Sequence, residues 1–333
     1  MSKLRFGVIG LGMMGKIYSR VVANLPEAEL VSVCDIIPGR AAELARELGV
    51  AGYAGTDYQA MLRQHPDLDG VYVTTSDPQH LAPVMAALDA GMHVCVEKPL
   101  ALSLEDGEQM VARARAVGKK LMVGHTLRFQ PQFLAMREAV LRGDIGQLLH
   151  FFARRNNPST VRDRLGDRVS VAFFLGVHDI DMMLWTAQQP VVKAFAKAVR
   201  RGSGNVDDSI LSILTFADGM LAMVENSWGM PDVTGRPQRF HFEVAGTGGV
   251  IEVYGQEQGV GIYRPDAAIF PSTLWLPEVH GRLTGVYHDQ VAHFVDCIRE
   301  NRTPACTGEE GLEAVRVASA IMRSLDEGRE VAV

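Results

Sequence analysis

Cysteine is scarce: Cys34, Cys95, Cys297 and Cys306 are the only four in 333 residues, with no C-x-x-C pair and no metal-ligand spacing among them. A disulfide framework and a bound metal are therefore not expected, and Cys34 and Cys95, set in apolar runs, read as small buried hydrophobes. Basic charge is in deficit too, with a formal net charge of −6, which argues against nucleic acid or an anionic membrane as a partner. No apolar run reaches the length of a bilayer span. The chain enters a strand-like run within five residues of Met1, leaving no room for the charged and apolar regions of a signal peptide, so a soluble, cytoplasmic protein is expected. Internal repeats, low-complexity segments and long linkers are missing as well. What the sequence has in quantity is apolar residues, 47% of the chain, enough for cores in two domains.

The stretch Leu4 to Val22, LRFGVIGLGMMGKIYSRVV, passes from an apolar strand through Gly10, Gly12 and Gly15 into a helix-like segment. In the spacing G-x-G-x-x-G the first glycine permits a sharp turn, the second lets backbone approach a pyrophosphate, and the third lets helix and strand pack closely. The phosphates would sit by Met13 and Met14 at the helix N-terminus, where unpaired N–H groups and the positive dipole end favour an anion. About twenty residues further on, the apolar run Leu30 to Cys34 ends in Asp35. A carboxylate there can accept both ribose hydroxyls of an adenosine and would repel a 2′-phosphate, which favours NAD. Arg40 keeps NADP open, because its guanidinium could reach such a phosphate.

Further strand-like runs at Asp69 to Thr75, Met92 to Val96 and Lys120 to Gly124 alternate with helical segments. That alternation predicts a parallel sheet covered by helices on both faces, with ligands bound beyond the C-terminal strand ends. The three glycines, Asp35, Thr75, Ser76, His80, Glu97 and Lys98 fall at or beside such ends and are expected to ring one crevice and contact the dinucleotide. From about residue 124 strands follow one another without comparable helices between them, at Leu148 to Arg154, Val191 to Arg200, Ile210 to Phe216, Leu221 to Trp228 and Phe240 to Ala245. Val192, Ala194, Ala196 and Ala198 alternate with more polar neighbours, predicting a large sheet with one face covered and one open. A homodimer or homotetramer through that open face is the matching expectation. The predicted division is 1–123 for the dinucleotide and 124–333 for substrate and oligomerisation. In the latter, Val291, Phe294, Val295 and Ile298 form the packing face of a helix.

Two constellations carry candidate chemistry. Glu97-Lys98-Pro99 sets a lysine at a strand end before a residue with fixed φ and no N–H. Local sequence leaves Lys98 open between a surface lysine paired with a carboxylate and an ammonium aimed at a substrate hydroxyl. In the segment His178-Asp179-Ile180-Asp181, helical spacing puts His178 and Asp181 on one face. A carboxylate beside an imidazole can orient the ring as a general base, and packing of His178 against the preceding loop is the other reading.

Taken together the motifs resemble the Gfo/Idh/MocA family of nicotinamide-dependent sugar and polyol oxidoreductases over nearly the whole chain. The resemblance rests on Gly10-Leu-Gly-Met-Met-Gly15, Thr75-Ser-Asp-Pro-Gln-His80, Glu97-Lys98-Pro99, Gly124-His-Thr-Leu-Arg-Phe129, Gly143-Asp-Ile-Gly146, the His178 to Trp185 segment and Val244-Ala-Gly-Thr-Gly-Gly249. It implies a Rossmann domain followed by an α/β domain with a large open, mostly antiparallel sheet, and Lys98 and His178 as the catalytic pair. The expected reaction moves a hydride between the nicotinamide and a secondary hydroxyl or ketone of a sugar, sugar derivative or cyclitol. Asp181 would orient His178 or grip a neighbouring hydroxyl, and Arg154 could reach substrate, with Arg155 and Asn156 beside it. The chain departs from the pattern at Phe174, where inositol-acting members often carry an aspartate, and at Ser76-Asp77 in place of Pro-Asn. A non-catalytic dinucleotide-binding sensor and a reductase of non-sugar carbonyls are the alternatives on the same fold.

Overall fold

Short β-branched runs bounded by glycine and polar turns form strands, and the amphipathic segments between them form helices. The computed structural model describes residues 2–201, 205–231, 238–255, 260–264, 266, 268–269 and 272–333. The first six strands are β1 (Leu4–Ile9), β2 (Ala28–Cys34), β3 (Ala54–Gly55), β4 (Gly70–Val73), β5 (His93–Val96) and β6 (Leu121–Val123). Between them run α1 (Met13–Asn24), α2 (Arg40–Leu48), α3 (Tyr58–Gln64), α4 (Leu81–Asp89) and α5 (Leu104–Ala116). The strands order as β3-β2-β1-β4-β5-β6 and every neighbouring pair is parallel. The order reverses between β1 and β4, so a ligand crevice is expected beyond the C-terminal ends of those two strands. Buried β4, Gly70-Val-Tyr-Val73, is apolar throughout, as a strand covered on both faces must be.

The second sheet comprises β7 (Leu148–Pro158), β8 (Val191–Val199), β9 (Ser209–Phe216), β10 (Leu221–Met230), β11 (Arg239–Gly246), β12 (Gly249–Tyr254) and the short β13 (Val331–Ala332). Their order is β12-β11-β7-β10-β9-β8-β13, antiparallel at every pairing except β7 with β10. Side chains alternate across it. Phe151, Ala153 and Arg155 of β7 and Val224, Asn226 and Trp228 of β10 are buried on one face, which packs against α6 (Pro131–Arg142) and α8 (Val177–Ala187), with α7 (Ser159–Leu165) between them in the chain. The other face is open, as the alternation in β8 predicts.

The C-terminal helices α9 (Val286–Arg299) and α10 (Gly308–Glu327) change the expected domain plan. The compact units are Met1–Thr126 with Trp275–Leu312, and Leu127–Leu274 with Glu313–Val333, so the chain does not break once at 123/124. The reason is the apolar face of α9: Phe294 lies 6.3 Å from Phe6 and 5.6 Å from Tyr72, ring centre to ring centre, and Val291 and Val295 join the same core. Among the described residues no single helix is long and apolar enough to cross a membrane.

Candidate active site

At the end of β1 the backbone turns at Gly10 with φ +92°, where a Cβ would stand 2.7 Å from the backbone of Thr74 and Thr75. At Gly15 a Cβ would stand 1.9 Å from the Gly10 carbonyl oxygen, so both positions demand glycine. Thr74, just past β4, closes the turn by donating from Oγ1 to that carbonyl at 2.5 Å. Gly12, by contrast, has nothing within 4 Å of a Cβ, and α1 begins with neither a side-chain cap nor an acid in its first turn. Its first N–H groups and positive dipole end are left available to an anion, and these residues fit a dinucleotide pyrophosphate. Met13 is 67% exposed beside this end, whereas the Met14 side chain packs onto the core.

Asp35, just past β2, is 5% exposed. Its carboxylate accepts the N–H of Leu11 at 2.6 Å and of Ile37 at 2.8 Å, and Arg40 Nη1 stands 3.2 and 3.3 Å from its two oxygens. Arg40 therefore answers the charge of Asp35. Burial, helped by Asp35, pushes the neighbouring Cys34 thiol up to about 12, so Cys34 is the inert hydrophobe its sequence context suggests.

Past β5 the expected contacts change. The Glu97 carboxylate faces the protein interior: Oε1 accepts from the Tyr18 hydroxyl at 2.5 Å and Oε2 from the Lys98 N–H at 3.2 Å. Burial raises its pKa, with the Tyr18 hydrogen bond and the Lys98 charge opposing. Glu97 thus supports the Lys98 backbone through its carboxylate. His80 is buried as well, its Nδ1 2.9 Å from the Pro99 carbonyl and its Nε2 3.3 Å from that of Thr75. Burial lowers its pKa; a neutral ring has one N–H, and the shorter contact places it on Nδ1. His80 ties the loop after β4 to the Lys98-Pro99 segment, whose peptide bond is cis, so it too acts as a brace. Thr75 and Ser76 remain half-buried at the strand end, Thr75 donating to the Gln79 carbonyl at 2.9 Å.

In the other unit, a wider π-type turn over Ala172–Gly176 leads into α8. His178 is half-buried in the first turn of α8, just ahead of two buried carboxylates, Asp179 and Asp181. Asp179 takes the Arg155 guanidinium of β7 at 2.7 to 3.2 Å, and Asp181 takes Arg128 at 2.7 and 3.0 Å. Burial raises the Asp179 pKa, with Arg155 and Asn226 opposing. The two pairs fix the roll of α8 and so the direction of His178. Asp181, 1% exposed with both oxygens on Arg128, is placed to hold the helix that carries His178. Arg154 is held by a carboxylate of the neighbouring strand. It projects from the open face of β7, opposite to Arg155, with Nε 2.8 Å from Glu225 Oε2 of β10. Phe174 rests against buried Trp228, ring centres 5.5 Å apart.

Comparison with known proteins adds to this geometry. The family described as "Oxidoreductase family, NAD-binding Rossmann fold" matches residues 4–125, and the GFO/IDH/MocA C-terminal domain matches residues 133–252. The chain belongs to the GFO/IDH/MocA oxidoreductase family. It is 29% identical over 356 residues to a myo-inositol 2-dehydrogenase of Thermotoga maritima, covering 98% of each chain. It is 28% identical over 337 residues to a 1,5-anhydro-D-fructose reductase of Ensifer adhaerens, covering 98% of this chain and 97% of that one. The crystal structure of scyllo-inositol dehydrogenase from Lactobacillus casei with NAD(H) and scyllo-inositol shares the fold, with a TM-score of 0.85, 21% identity and 99% coverage of both chains.

In this GFO/IDH/MocA member several structural partners escape sequence reasoning. Thr74, Tyr18, Arg128 and Trp228 each hold an expected site residue. Tyr18, Thr74 and Arg128 lay within stretches the sequence singles out, Leu4 to Val22, Asp69 to Thr75 and Gly124-His-Thr-Leu-Arg-Phe129, but nothing local marked them as partners of site residues. The Asp35–Arg40 pair yields a prediction. Asp35→Ser removes the carboxylate and frees Arg40, and the NADP-to-NAD ratio of kcat/KM rises by roughly a hundredfold, a charged hydrogen bond or two in free energy. Steady-state rates with each dinucleotide check it, and an unchanged ratio would remove Asp35 from the selection.

Proposed function

We propose that this family member oxidises a secondary hydroxyl, or reduces the matching ketone, of a sugar, sugar derivative or cyclitol, with NAD preferred to NADP. The observation that carries the reading is the setting of Lys98: next to the end of β5, on the strand-end rim that holds the glycine turn and Asp35, and braced by Glu97 and His80. Bound nicotinamide supplies the hydride acceptor. Lys98 donates to the reacting oxygen and stabilises it as alkoxide character develops, and His178 takes the hydroxyl proton. Asp179 and Asp181 act through Arg155 and Arg128 to position the helix that carries His178. The names of the inositol dehydrogenase and anhydrofructose reductase relatives support the substrate class.

Phe174 sharpens it. With Asp179 and Asp181 both committed to buried arginines, neither replaces the acid that inositol-acting members often carry at the position of Phe174. The aromatic pair Phe174–Trp228 instead favours a substrate with a less polar face there, such as an anhydro or deoxy sugar. A panel of inositols, sugars, anhydro and deoxy sugars and sugar nucleotides, with NAD and NADP in parallel and read at the nicotinamide absorbance, tests the reading. Turnover of the less hydroxylated substrates above the inositols is expected; turnover of non-sugar carbonyls alone would overturn it.

The open face of the second sheet is proposed as the surface on which copies of the chain associate. Phe195, Ile213, Met223 and Phe152 form one cross-strand row there, and Ile213 and Met223 are 47% and 46% exposed. An apolar row on a broad face suits a self-complementary contact. The double variant Ile213→Asp, Met223→Asp is expected to run as a monomer in light scattering while the parent runs as a dimer or tetramer. Equal masses for both would reject the surface.

A further inference from the structure

Along the open sheet face the apolar row just described continues across β11 and β12 as Glu243 and Glu252. These two carboxylates are direct partners on an antiparallel ladder, and like charges so placed repel. Two histidines project from the same face. His241 Nε2 lies 3.1 Å from Glu252 Oε1, and His150 Nε2 lies 3.5 Å from Glu243 Oε1. Donor atoms of His241, Glu243 and Glu252 all lie within 4.8 Å of one another. In a tetrahedral site with metal–ligand bonds of about 2.0–2.1 Å, neighbouring donors stand about 3.3 Å apart, and the His241–Glu252 separation of 3.1 Å lies close to that spacing. The cluster is braced from outside: the His241 ring stacks on Tyr254 with centres 4.6 Å apart and planes 5° from parallel. The Tyr254 hydroxyl donates to Glu252 at 2.6 Å. Arg154, across the ladder from His241, is drawn away to Glu225 at 2.8 Å.

We propose that His241, Glu243 and Glu252 bind a divalent transition-metal ion of the Zn2+ type. An imidazole with two carboxylates suits such an ion, whereas Mg2+ and Ca2+ prefer all-oxygen sets of higher coordination. Three protein ligands leave a fourth position for water, with His150 beside it. The ion offsets the repulsion between Glu243 and Glu252 and ties the edge strand β12 to β11. None of the three residues belongs to the set that handles substrate or dinucleotide.

The test uses the full-length protein, stripped with a chelator and dialysed against buffered Zn2+, with bound metal measured by elemental analysis. About one ion per chain is expected at micromolar free Zn2+, with Glu243→Gln and His241→Ala each weakening binding roughly tenfold or more, the usual loss on removing a ligand or its support. A tenfold excess of Mg2+ should leave it in place, by the same preference for softer donors. Dinucleotide-linked turnover should stay at the parent level in both variants. Well under one ion per chain, undiminished binding in Glu243→Gln, or displacement by Mg2+ would each overturn the proposal. Glu243→Gln preserves side-chain shape, so it decides the matter if His241→Ala, which loses the stack on Tyr254, fails to fold.

Discussion

Lys98→Met lowers kcat by roughly a thousandfold while NAD binding and the thermal melt stay near the parent values, within the range seen when one group that stabilises developing charge is removed. Methionine keeps the length and apolar stem of lysine, so what is lost is the ammonium. Its backbone N–H still reaches Glu97, and His80 still holds the Pro99 carbonyl, so the loop keeps its course. The charge of Lys98 opposes the upward push of burial on Glu97, and its removal raises the Glu97 pKa further, while the hydrogen bond from Tyr18 still holds the carboxyl in place. His178→Asn is expected to cost about a hundredfold to ten-thousandfold in kcat, the span for a missing general base. Stopped-flow rates at saturating substrate check both, and a parent-like kcat in either variant would remove that residue from the chemistry.

Asp181→Ala is the largest stability effect expected. It leaves the Arg128 guanidinium, 3% exposed, without the carboxylate that takes two of its donors, and breaking a buried pair from one side costs about 3–5 kcal/mol. The double variant Arg128→Met, Asp181→Leu removes both charges and should recover much of the loss, because an apolar replacement of a buried pair is often nearly neutral. Urea titrations of the parent, both single variants and the double variant measure the coupling. Additive single effects would show that the pair does not act as a unit. The same comparison read as kcat against KM separates fold from positioning: a loosened α8 in the surviving protein lowers kcat through His178 more than it raises KM.

Much of the first unit was legible because its requirements are local. Gly10 and Gly15 are dictated by backbone contacts that no other residue could make, Asp35 by its place at the next strand end, and the strands by short runs of β-branched and aliphatic residues. The second sheet was legible in its strands and in the open face of β8. What sequence could not supply was which charges meet. Asp179 and Asp181 find Arg155 and Arg128 only through the packing of α8 on β7 and on the turn before α6. Arg154 and Arg155 differ only in phase. Alternation assigns them opposite faces, but Phe151 and Phe152 are equally apolar and do not say which face is covered. Glu97 and Lys98 present the same difficulty, since adjacent residues at a strand end take different directions. The address of α9 was hidden for a related reason, because an apolar stripe shows that a helix packs without showing against which core.

The most direct measurement follows the hydrogen itself. With the best substrate from the panel carrying deuterium at its carbinol carbon, the purified protein and NAD should yield reduced nicotinamide bearing that deuterium at C4, and Lys98→Met should slow its appearance roughly a thousandfold. A protein that binds NAD but transfers deuterium from no sugar, sugar derivative or cyclitol, or one whose Lys98→Met variant transfers it at the parent rate, would contradict the account.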